Sequence, residues 1–106
     1  MSELSSRDRR RSERVSLQVT VLLRTELADG KRVQVQAFTQ EINAHGGRLE
    51  APVRLPMNHK ITLLNLQGSK EISCRVVRAE GITDASFGIA FEFDQPDPNF
   101  WPIALP

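Results

Sequence analysis

The residues best equipped for chemistry crowd the first fourteen positions: Arg7, Arg9, Arg10, Arg11 and Arg14. A guanidinium is a planar, permanently charged fork that offers two parallel hydrogen bonds to a phosphate or to the O6/N7 edge of a guanine. No apolar side chain interrupts residues 5–14, so this stretch has nothing to bury and is expected to be a mobile arm. An arginine-rich arm tethered to a folded body suits a clamp for an anion. A second group follows in Glu41-Ile42-Asn43-Ala44-His45-Gly46-Gly47-Arg48, where carboxylate, amide, ring and guanidinium sit beside paired glycines. Glycines there allow positive φ or the close approach of backbone to a ligand.

Other chemistry is thinly represented. Cys74 is the only cysteine, so no intrachain disulfide is possible, and its apolar surroundings read as those of a small core residue. His45 and His59 with one Cys give no recognised metal spacing. The carboxylates are scattered, with no pair divided into acid and base roles, and neither a nucleophile elbow nor a phosphate loop is present. The expectation is a binding protein, not an enzyme, with no metal and no cofactor.

The elements that must position these groups follow a period of two. Val15, Leu17, Val19, Val21 and Leu23 alternate with mostly polar residues as one long strand. Asp29-Gly30 supplies a hairpin signal, and the chain returns from Arg32 to Gln40. A break at Asn43–Gly47 precedes a short strand to Ala51, and Pro52 and Pro56 bracket a loop. Strands are expected at His59–Leu66, Glu71–Ala79 and Phe87–Phe93, with residues 81–86 as a loop. Six strands and no long amphipathic helix predict an all-β, small six-stranded antiparallel barrel, which leaves no open edge. The expected organisation is a basic arm over 1–14, a barrel over 15–93 and a tail over 94–106 in which Phe100 and Trp101 cover a barrel end.

At 106 residues the chain is one domain with room for a real core. The net charge of +1 is uneven, with +2 in residues 1–14 and −1 in the remainder. That balance argues against a protein that coats nucleic acid, so no nucleic-acid polymer is expected as a partner. No apolar stretch approaches the ~20 residues that span a bilayer. The polar N-terminus lacks a secretory segment, and a cytoplasmic location without membrane insertion is expected.

The order of features is specific. Arg10-x-x-x-Arg14 stands before the first strand, Glu41-Ile-Asn-Ala-His-Gly46 follows about thirty residues later, and Phe87-Gly-Ile-Ala-Phe91 lies near the C-terminus. Over residues 8–93 this resembles the PilZ domain family of bacterial cyclic di-GMP receptors. The family's boxes are Arg-x-x-x-Arg and (Asp/Asn)-x-Ser-x-x-Gly, and a Gly-(Val/Ile)-x-Phe strand closes its barrel. Arg10, Arg14 and Gly46 match those boxes, whereas Glu41 replaces Asp or Asn and Asn43 replaces Ser. The resemblance implies a cyclic di-GMP site formed by Arg9, Arg10, Arg14, Glu41, Asn43, Gly46, Gly47 and Arg48. It implies an arm that orders on the ligand and a downstream protein that reads the change. The two departures leave a second reading open, an adaptor that binds protein and no nucleotide. A third, a barrel that binds single-stranded RNA or DNA through the arm, is opposed by the charge balance and the scarcity of aromatics.

Overall fold

A computed structural model describes residues 15–67 and 69–102. The expectations placed on the arm, those for Arg9, Arg10 and Arg14 included, lie outside the described residues. The strands are β1 (Val15–Ser16), β2 (Thr20–Glu26), β3 (Arg32–Asn43), β4 (Gly46–Ala51), β5 (Lys60–Asn65), β6 (Lys70–Thr83) and β7 (Ser86–Phe93). All pairings are antiparallel, in the order β3-β2-β5-β6-β7-β4, and β4 pairs back onto β3 to close a six-stranded barrel. The expected all-β barrel is therefore the fold, and β1 lies outside it on the end of β3.

The alternation that predicts the strands also fills the barrel. Val21, Leu23, Ala37, Leu49, Leu63, Val76 and Ile89 are completely buried, and Phe91 and Phe93 nearly so. Inward aliphatics from every strand interdigitate, which is the arrangement a closed small barrel requires. At Asp29-Gly30, Gly30 takes φ of 85° and the Asp29 carboxylate accepts from the Lys31 amide at 2.9 Å. Beyond the last strand, Phe100 and Trp101 are buried against Phe91 and Phe93, with ring centroids 4.9 to 6.2 Å apart. The Asn65 side-chain amide donates to the Phe100 carbonyl at 2.6 Å and secures this plug.

Three boundaries differ from the pattern in the sequence. The expected first strand is divided, because Ser16 pairs with Glu41 while Thr20 pairs with Phe38, leaving residues 17–19 opposite only 39 and 40. The buried Thr39 hydroxyl occupies that irregularity, accepting from the Val19 amide at 2.7 Å and donating to the Leu17 carbonyl at 2.6 Å. β3 continues past Gln40 to Asn43, so the break shrinks to the turn at Ala44-His45. β6 likewise continues to Thr83 and turns only at Asp84-Ala85, replacing the expected loop over 81–86. Gly81 has no positive φ, and the bulges flanking it let the ladder continue.

Candidate functional site

Two bulges build an outward-facing cleft. Thr39 pairs with Leu49 and Glu41 with Arg48, so Gln40 is the extra residue of β3. A bulge reverses the parity of every residue beyond it. Ala37 and Thr39 therefore point inward, but so does Ile42, while Glu41 and Asn43 come to the outer face. On β6, Val76 pairs with Phe91 and Arg78 with Ala90, so Val77 is extra and Arg78 also comes to the outer face.

Two rows of side chains cross the strands there. In register the first is Glu41, Arg48, Ala90 and Arg78; the second is Asn43, Gly46, Glu92 and Arg75. Together with His45 and Val77, most of these residues line a cleft of about 260 Å³. Gly46 and Ala90, the smallest side chains, stand in the middle. Glu41 and Asn43 form one wall, Val77 and Arg78 the other.

The charges are arranged unequally. Arg75 pairs with Glu92 at 2.5 Å. The Arg48 guanidinium extends toward Gln40 and Glu80, with contacts of 3.0 and 3.2 Å, and covers Gly88. Arg78 is exposed and forms no ion pair among the described residues. It is the cleft cation available to an incoming anion. Sequence reasoning missed it because strict alternation from Cys74 and Val76 sends position 78 into the core. Only the bulge at Val77 turns it outward.

The turn that joins β3 to β4 is held on both sides. Asn43 Oδ1 accepts from the His45 amide at 2.7 Å, an Asx turn at the first position of a two-residue hairpin. Its backbone carbonyl accepts from Trp101 Nε1 at 2.8 Å, and the Ala44 carbonyl accepts from the Asp97 amide at 3.1 Å. Gly46 adopts φ of 155°, and a Cβ there would collide with the Phe91 carbonyl. A Cβ on Gly47 would collide with the Glu41 carbonyl. Both glycines therefore serve close approach of the chain to itself. Among the sequence-predicted residues, Glu41, Asn43, Gly46, Gly47 and Arg48 come together at the cleft, and His45 joins them half-buried. His59 lies elsewhere, with Nε2 2.7 Å from Thr25 Oγ1. Since that hydroxyl donates its one proton to the Lys60 carbonyl, His59 Nε2 is the donor of the pair.

Among the described residues no cluster of His, Cys, Asp and Glu could hold a metal ion. Nor, among the described residues, is any helix long and apolar enough to cross a membrane. Burial, assisted by the nearby Asp94 carboxylate, pushes the Cys74 thiol up to about 12, so it is a core group and not a nucleophile.

The fold is thus a closed antiparallel β-barrel with a small polar cleft on its outer wall. The PilZ domain model matches residues 8–100, most of the chain, and the chain belongs to that family. No curated protein matches the chain. PilZ domains are in general cyclic di-GMP receptors, binding and adaptor modules in place of catalysts.

Proposed function

We propose that this chain is a cytoplasmic cyclic di-GMP receptor that passes the signal to a partner protein. The observation that carries the reading is the cleft itself, with Glu41 and Asn43 facing Arg78 across Gly46 and Ala90. Guanine presents N1–H and N2–H2 donors on one edge and O6 and N7 acceptors on the other. Glu41 accepts from the donor edge. Arg10 and Arg14, brought over the ligand by the arm, supply forks to O6/N7 or to phosphate, and Arg78 adds a cation at the opposite wall. Folding the arm over the ligand loses conformational entropy, which the charge-assisted hydrogen bonds offset.

A calorimetric titration of cyclic di-GMP into the wild-type chain tests this, with Arg14→Ala and Arg78→Ala beside it. Saturable binding is expected, and Arg14→Ala should weaken it about tenfold to a hundredfold, the range for a lost hydrogen bond to a charged group. Undiminished binding in Arg14→Ala would overturn the arm's role.

Specific contacts favour a second reading, a PilZ adaptor that engages protein without nucleotide. Asn43 Oδ1 is taken by the His45 amide, and Arg48 is taken by Gln40 and Glu80. Absence of any titration heat from a folded wild-type chain would select this reading over the first.

A further inference from the structure

β6 outruns the strand that covers it. β5 pairs with β6 only from Lys70 to Arg75, and the segment before β5 reaches one residue further, exchanging Asn58 and His59 hydrogen bonds with Val76. Residues 77–83 pair with β7 on one side and with no described strand on the other, and all seven are exposed. Such an edge presents unpaired N–H and C=O groups to any strand that can lie along it. Apolar side chains mark its ends, Val77 being 41% exposed and Ile82 46%.

The charges along this edge decide the occupant. Arg78 and Glu80 flank Ala79, so the segment is complementary to itself when read backwards. An antiparallel pairing of two such edges centred on Ala79 sets Arg78 of each copy opposite Glu80 of the other. Centring on residue 78 or on residue 80 sets like charges face to face, which is unfavourable. The Ala79 register also sets Val77 opposite Gly81, where nothing of the chain's own lies within 4 Å of a Cβ position. A bulky residue thus meets open space. Glu80 already contacts Arg48 at 3.2 Å, so each junction becomes an Arg48–Glu80–Arg78 chain of alternating charge across the two copies.

We infer that residues 77–83 form a homodimer interface, an antiparallel strand pair about Ala79 that joins two barrels into one continuous sheet. The two-fold axis then passes beside the clefts, since Val77 and Arg78 line both the cleft and the junction. This dimer requires no nucleotide, although it engages Arg78, which the ligand reading also uses at the cleft.

Site-directed cross-linking of the full chain, without nucleotide, tests it. Directly opposed Cα atoms lie about 4.5–5.5 Å apart, within disulfide range, so Ala79→Cys should oxidise to a covalent dimer. Gly81→Cys should not, because its copy lies roughly 13 Å further along the strand. Wild type is the control, its one thiol being buried. In sedimentation velocity, Glu80→Arg should raise the dissociation constant at least tenfold, and Arg78→Glu with Glu80→Arg should restore it. A wild-type chain monomeric at every concentration, equal cross-linking at both positions, or failure of the double swap to restore would each overturn the inference. So would a monomer whose amides over 77–83 resist exchange, since another part of the same chain would then occupy the edge.

Discussion

The Thr39 hydroxyl satisfies two backbone groups that the division between β1 and β2 would otherwise strand, the Val19 amide and the Leu17 carbonyl. Val has the same shape and neither hydrogen bond. Thr39→Val is therefore expected to destabilise the chain by about 2 kcal/mol or more, the penalty for leaving buried polar groups unpaired. Urea unfolding would measure it, and a change under 0.5 kcal/mol would show that the irregularity is solvated. Cys74 gives a second prediction, in pH. Its native pKa is raised from 9.0 to about 12, by burial first and the Asp94 carboxylate second. The folded state then holds the proton more tightly than the unfolded state. This stabilisation is full below pH 9 and is lost as pH rises toward 12. The difference in stability between wild type and Cys74→Ala should shrink across that window, and a difference constant in pH would refute the assignment.

At the level of elements, the bulge at Gln40 turns Glu41 and Asn43, in place of Ile42, toward the cleft. Deleting Gln40 closes the bulge without reversing that order, because Glu41 then follows Thr39 directly, facing outward, and Ile42 stays inward. Deletion of Gln40 is therefore expected to keep the barrel core, its cost falling on the division between β1 and β2, where residues 17–19 lose one of the two residues opposite them. Urea unfolding would measure it, and a loss of several kcal/mol, the scale of a carboxylate driven into the core, would refute the parity argument. The same parity explains what the sequence could and could not tell. Val21, Leu23, Ala37, Ile89 and Phe91 announce their strands by period two, and the barrel follows. The Glu41–Gly46 segment is visible through its motif. Arg78 is not, because it belongs to no motif and the bulge beside it reverses the pattern that would have located it. Nor does alternation reveal where β6 ends, since a strand carried forward by bulges breaks the period used to trace it.

At the level of the whole molecule, the aromatic plug links the far end of the chain to the cleft. Trp101 is buried among Phe91, Phe93 and Phe100, and its Nε1 donates to the Asn43 carbonyl. Trp101→Ala should cost about 3–5 kcal/mol through the cavity it leaves. Trp101→Phe keeps an aromatic body and removes the donor, so its cost should be nearer 1 kcal/mol. Its distinctive signature should be faster amide exchange at Ala44, His45 and Gly46, with the barrel strands unchanged. Uniform loosening of the whole barrel would instead make Trp101 a packing residue alone.

That tie also sets an order of events during synthesis. β3 and β4 carry most of the cleft, yet β4 finds its second neighbour only in β7, and the turn between them is fastened by Phe93, Asp97 and Trp101, all far along the chain. A ribosome that has translated the whole Glu41–Gly46 segment has made the letters of the site without its frame. The cleft therefore takes its full set of fastenings only after the aromatic pair has been made. A chain cut short before Trp101 would carry the segment intact and still lack the hydrogen bond that ties its turn to the aromatic plug.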